Sequence, residues 1–447
     1  MPLSSIFEIG KRSLLTYQSA INTTSGNIAN INNSYYARRR PDFSTLSAGL
    51  NASGLSARQS ERLRNQFAEQ QLYREKQQLG RFETSNMLLK QMEGIFAENT
   101  DGGLSNLLSE FWDSWNNLAQ EPESQAARTI VKNKGVMLAN GFRRVHGELK
   151  QLQEQLQPEI QSKTTEINNI LRQLRDINRE IRLTGQPEMM DERDRLLDSL
   201  SEKLNIDVKE LDTGEVRVYA DGLILVSDDQ VNELRLETSI EDGFNKVSIY
   251  YADSDRQMNI DAGELGAMLD VHNAQLPKYL SQLDTLATNL AESVNNIHRN
   301  GENLDGTTDI PFFKEGINGA ADFEVNTAIV NDPSLIATRA PGEAEGSSSI
   351  ARSIYDLQYD TIINDTSPAE FYRDLTVTLG NEVQETDYLR SSQKLIVEHV
   401  QNQKDAISGV SLDEEMTKMI QYEQSYQAAS KIISMVDEMV QSLLNIR

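Results

Sequence analysis

Residues 412–443 read LDEEMTKMIQYEQSYQAASKIISMVDEMVQSL, and every seventh position is hydrophobic: Leu412, Met419, Tyr426, Ile433 and Val440. Tyr422, Ala429, Val436 and Leu443 fill the alternating three-then-four spacing, which draws one continuous seam along a long helix. Far upstream, residues 4–31 (SSIFEIGKRSLLTYQSAINTTSGNIANI) repeat the pattern with Phe7, Leu14, Ile21 and Ile28. A seam on one helix cannot bury itself, so each end needs a partner helix. The partners within reach are the other end of the chain and the same ends of neighbouring copies. The expectation is a mainly α fold whose terminal helices, within 1–35 and 408–447, pair as a coiled coil, with these residues as an assembly seam.

The charge is distributed to match. Residues 1–82 carry eleven Lys/Arg against five Asp/Glu, a net of +6, while residues 410–447 carry three against six, a net of −3. Basic and acidic arms of this kind select partner and orientation more than they add stability. The whole chain is nevertheless acidic, with a formal net charge of −25, which argues against nucleic acid because phosphate needs a basic surface. It has 447 residues, enough for two or three domains, and no cysteine, which excludes disulfides and thiolate metal sites. No apolar run approaches a membrane span, so membrane insertion is not expected, and the first residues lack the pattern of a conventional secretory signal.

Between the ends the period is mostly helical. Residues 58–96 suggest one long helix, followed by 104–119 with Phe111, Trp112, Trp115 and Leu118 on a single face, a core pattern. Helices over 124–156 and 160–183 are expected to break at Pro158 and Gly185. The period changes to two at residues 206–219, where Asp212-Thr213-Gly214 reads as a hairpin turn, and residues 223–226 and 246–251 add strands. These predict a small β-rich insertion at 205–261 in a helical bundle comprising 36–204 and 262–407. Residues 300–350 read as irregular, 368–380 and 382–407 as helices, and Ser411-Leu-Asp-Glu414 as a capping box that opens the last helix. The Asn/Thr/Ser-rich half of the first helix is expected to order only on packing.

No catalytic constellation rises above background. The four histidines (His146, His272, His298, His399) are dispersed without metal-ligand spacing. Asp191-Glu192-Arg193-Asp194 suits a structural ion-pair cluster better than an acid/base pair, because adjacent helical residues do not face each other. Arg38-Arg39-Arg40 is expected to pair with acidic neighbours, and residues 302–309 (ENLDGTTD) to form a turn rather than a calcium loop. No catalytic, cofactor or metal site is predicted.

The stretch from Tyr17 through Asn22 and Asn27 to Asn30 (YQSAINTTSGNIAN) resembles the N-terminal signature of bacterial flagellar axial proteins. Residues 409–416 (GVSLDEEM) and 422–429 (YEQSYQAA), with 436–440 (VDEMV) and Leu443-Leu444, are similar to the hook–filament junction members of that family. Phe111-Trp112, 122–128, 191–198 and 297–301 (IHRNG) support the same resemblance across most of the chain. It implies a non-enzymatic structural adaptor of the extracellular flagellum, joining hook to filament. Implied partners are copies of itself in a ring, hook subunits, a second hook-associated protein, the flagellar type III export apparatus, and a cytosolic export chaperone at the C-terminal helix. The alternatives are another axial subunit, of hook or distal rod, or a secreted enzyme with axial-type ends.

Overall fold

The structure, a computed structural model, describes residues 3–48, 52–97, 103–241 and 243–445, with side chains at all of these except 45–59. Helix α1 (Leu3–Ala29) leads into an antiparallel hairpin, β1 (Arg39–Ala48) and β2 (Ala52–Arg62). Helices α2 (Gln66–Ile95), α3 (Leu104–Gln120), α4 (Gln125–Thr184) and α5 (Pro187–Lys203) follow. Then come β3 (Asp207–Glu210), β4 (Val216–Ala220), β5 (Leu223–Ser227), β6 (Gln230–Val231), β7 (Leu234–Glu241) and β8 (Phe244–Tyr251). The remainder is α6 (Gly263–Asp270), α7 (Leu276–Arg299), α8 (Thr327–Asn331), α9 (Ser349–Asp356), α10 (Pro368–Ser408) and α11 (Leu412–Asn445).

Two compact units result. One comprises residues 1–77, 169–232 and 393–447, the other 78–168 and 233–392. These boundaries differ from the expected ones, and the expected β insertion is divided. The antiparallel sheet β3-β4-β5-β6 belongs to the first unit and the β7–β8 hairpin to the second. The reason lies in how each sheet is fastened. In the first unit the buried Asn178 side chain, on α4, donates to the Val216 carbonyl at 2.7 Å and accepts from its N–H at 3.0 Å. In the second, Asn168 clasps the carbonyl and N–H of Leu234 in the same way, both at 2.8 Å. A side-chain amide thus takes the place of a missing strand neighbour, which a buried backbone requires.

In the second unit α3 presents Phe111, Trp112, Trp115 and Leu118 as core, all 2% exposed or less, as its spacing predicts. Residues 310–325, read as irregular, supply the other half: Phe312, Phe313 and Phe323 are fully buried. Trp115 meets Phe312 at a centroid distance of 5.3 Å and Phe142 meets Phe323 at 4.8 Å, both T-shaped. Gly135 permits the closest approach, since a Cβ there would lie 2.9 Å from Phe312 Cζ.

Three local readings are corrected. Residues 58–62 are the end of β2, not the start of a helix, because pairing with β1 overrides their helical composition. Pro158 does not break α4, which runs unbroken from Gln125 to Thr184. Leu156 and Ile160 on either side of the proline are 1% and 0% exposed, so packing outweighs the missing hydrogen bond. Residues 368–408 are likewise one helix, α10, and β6, β7 and the β1–β2 hairpin are additional strands.

Candidate assembly site: the terminal-helix pair

Helices α1 and α11 lie side by side in the first unit, antiparallel, with Gly10 near Ile433 and Asn27 near Glu415. The most buried positions of α1 are not its apolar series. Gly10, Thr16, Ala20, Thr24 and Asn27 are buried, whereas Leu14, Ile21 and Ile28 are half-buried and Phe7 is 42% exposed. The physical reason is closeness: a Cβ at position 10 would stand 3.1 Å from Ile433 Cγ1 and 3.4 Å from Ile432 Cγ2. Small side chains let the two backbones approach to a distance that a row of Leu and Ile would prevent.

On α11, Ile433 and Ala429 lie against Gly10 of α1. Ala429 and Val436 are buried, and Met419, Tyr422, Tyr426 and Ile433 are half-buried. Leu412, Val440 and Leu443, at the two ends of the series, are exposed. The Phe43 ring of β1 sits 6.4 Å from that of Tyr17 and 6.0 Å from that of Tyr422, bringing the hairpin onto the pair.

The polar lock at one end was not legible as an apolar pattern. Asn27 uses all of its hydrogen-bonding capacity. Its Nδ2 donates to Glu415 Oε2 at 2.7 Å and to the Arg39 carbonyl at 2.8 Å, while Oδ1 accepts from the Tyr36 hydroxyl at 2.8 Å and the Arg39 N–H at 3.0 Å. The other oxygen of buried Glu415 takes Arg38, through Nε at 2.9 Å and Nη2 at 2.7 Å. Arg38 Nη2 also reaches Glu414 at 2.5 Å, so the carboxylate expected to close the capping box takes part in an ion pair. Burial works against the Arg38 charge, but the hydrogen bonds to Glu414 and Glu415 outweigh it and raise its pKa. The Arg38 N–H donates to the Ser408 carbonyl at 2.9 Å, closing the knot on the α10–α11 junction.

A second cluster extends this knot to the hairpin base, α5 and β3. Asp191 accepts from Arg62 Nη2 at 2.5 Å and from Arg39 Nη2 at 3.0 Å, and Asp194 from Arg62 at 2.8 Å and Arg193 at 2.7 Å. Arg64 joins Glu69 to Glu210, and the fully buried Arg193 bonds Glu210 at 3.1 Å and the Gly214 carbonyl. Burial opposes the Asp194 charge, yet Arg193, Arg64 and Arg62 hold its carboxyl down to about 2. These carboxylates are engaged by guanidinium groups, so the arrangement fastens elements and leaves no free acid/base pair. The expected pairing of Arg38–Arg40 with acidic neighbours is observed, Arg40 with Glu61 at 2.6 Å. Among the described residues no group of three or more acidic or histidine side chains could hold a metal ion, and no helix is long and apolar enough to cross a membrane.

A family model for the helical domain of flagellar hook-associated protein FlgK matches residues 89–313, just over half of the 447 residues. The chain belongs to the FlgK family. A second model, for the C-terminal region of the flagellar basal body rod FlgEFG proteins, matches residues 402–446, which include α11. Flagellar hook-associated protein 1 of Bacillus subtilis is 27% identical over 98% of this chain and 97% of its own length. That of Salmonella typhimurium is 22% identical over the full length of both. The flagellar hook junction protein FlgK from Burkholderia pseudomallei has a similar fold, with a TM-score of 0.68 at 13% identity, over 76% of this chain and all of that one. In this FlgK-family chain, the aromatic core around Trp115 and Phe312 lies within the matched helical domain, and the terminal pair lies outside it.

Proposed function

We propose that this chain is the structural adaptor of the flagellar hook–filament junction, needed for filament assembly, and not an enzyme. The observation that carries the reading is a match to the FlgK helical domain in a chain whose two terminal helices pair with each other. Hook and filament need different lateral packing, and a dedicated ring of subunits absorbs the mismatch. In that ring the apolar residues that α1 and α11 leave exposed or half-exposed meet neighbouring copies: Phe7, Leu14, Ile21 and Ile28 on one helix, Met419, Tyr426, Ile433, Val440 and Leu443 on the other. Before assembly the same residues would be covered by a cytosolic export chaperone, and the subunit would leave through the flagellar export apparatus. Hook subunits and a second hook-associated protein would flank the ring.

A hook or distal-rod role rests on the C-terminal match at 402–446, a segment with no junction-specific helical domain, and is the weaker reading. The test is a deletion strain. Hooks should form while unpolymerised flagellin is shed into the medium, and the wild-type gene should restore filaments whereas Tyr426→Asp or Ile433→Asp should not. Filaments of normal length without the chain would overturn the proposal.

A further inference from the structure

One buried cation in the second unit has no carboxylate on it. Arg128, in the first turn of α4, is 0% exposed. Its guanidinium donates to the carbonyls of Ile336 and Pro122 (the latter at 2.8 Å) and to the Thr338 hydroxyl at 3.2 Å, and its Nε has no acceptor. Burial and the neighbouring Arg339 guanidinium lower its pKa to about 10. Arg339 gives Nη2 to Glu302 at 3.0 Å, and its Nε is also unpaired.

A third unpaired donor belongs to a residue lining the same cleft as both arginines. Asn303 is 2% exposed, and its Oδ1 accepts from the N–H groups of Asp305 at 2.9 Å and Thr307 at 2.8 Å. Those two bonds fix which end of the amide is oxygen, and they leave Nδ2 with no acceptor. Arg128, Arg339 and Asn303 line one cleft of about 270 Å³, with Thr338 beside them and the exposed Glu123 and Glu345 also in its lining. Three unpaired donor nitrogens and two guanidiniums, against one directly bonded carboxylate, are costly to bury without a further acceptor. Water can relieve a lone amide, but it does not neutralise charge.

We propose that this cleft binds a small oxyanion of phosphate or sulfate size, held by Arg128, Arg339 and Asn303. The anion would join three segments that share no regular secondary structure with one another: the start of α4, the 303–307 turn and residues 336–339. Its role is structural, neutralising the Arg128 charge where no carboxylate bonds the guanidinium directly and the nearby Asp305 charge offsets it only in part.

The test is thermal unfolding of the full chain with inorganic phosphate or sulfate titrated against sodium chloride at matched ionic strength. A tenfold excess over the dissociation constant should raise the midpoint by about 2–4 °C above the chloride control. In Asn303→Asp the retained oxygen still serves Asp305 and Thr307, and the second oxygen supplies an internal acceptor, so the response should vanish. Arg339→Gln should weaken phosphate binding by about tenfold or more and serves as the second variant. A midpoint that follows chloride alone, or a saturable response unchanged in both variants, would overturn the proposal.

Discussion

Acidification is expected to weaken the second unit in part through His298. The imidazole is 0% exposed, with Trp115 and Phe312 edge-on at centroid distances of 6.1 and 5.7 Å. Nδ1 donates to the Ile310 carbonyl at 2.6 Å, and Nε2 accepts from the Ala337 N–H at 2.9 Å, so the ring is held neutral in one tautomer. A proton on Nε2 would set N–H against N–H. Burial is the main cause, with the nearby Arg128 charge adding to it, and together they lower the folded-state pKa to about 4. The unfolded chain takes up a proton near pH 6.5, where folded His298 does not. The contribution is therefore complete above that pH and is lost as pH falls toward 4. A shift from 6.5 to about 4 corresponds to about 2 kcal/mol lost by pH 5 and about 3 kcal/mol by pH 4. Urea unfolding of the wild type and of His298→Gln at pH 7.5 and pH 5.0 isolates this effect, because the carboxylates titrate alike in both. The His298→Gln variant should be less stable than the wild type at pH 7.5, and the gap should close by about 2 kcal/mol at pH 5.0. A gap that is independent of pH, or that widens in acid, would refute the reasoning.

Two further outcomes follow from the geometry. Asn27→Ala removes four hydrogen bonds, two of them buried, and leaves the Tyr36 hydroxyl, the Arg39 amide and part of Glu415 without partners, at a cost of about 2–4 kcal/mol. Amides in residues 14–29 and 415–429 should then exchange faster with deuterium than in the wild type; equal rates would show that the lock is dispensable. Pro158→Ala restores a hydrogen-bond donor inside α4 and relieves the ring's clash, so the melting temperature should rise by the equivalent of about 1–3 kcal/mol with the helix intact. A fall in melting temperature would mean that the proline is accommodated by a kink the packing requires.

The broad fold was legible because periodicity is local and repeated. The seam of α11, the aromatic face of α3 and the turn at Asp212–Gly214 each announce an element within a few residues of themselves, and all three elements are present. The β1–β2 hairpin was not legible, because strand pairing with residues 39–48 outweighs the helical composition of residues 58–62. The candidate site was half legible. Ile433 and Ala429 of α11 lie against Gly10 of α1, whereas the buried positions of α1 are Gly10, Thr16, Ala20, Thr24 and Asn27, small and polar residues rather than the apolar series.

By itself the sequence determined that this is a long-helix protein with matched ends and a flagellar axial signature, since those properties repeat along the chain. Only the tertiary structure decided which face of α1 is buried, because that depends on how closely two backbones from opposite ends of the chain approach. Only it joined Asn27 to Glu415, and Arg128 to Asn303 and Arg339. Polar groups brought together across hundreds of residues leave no periodic trace. What selects them is the need of each buried donor or charge for a partner, which arises once the chain has folded around it.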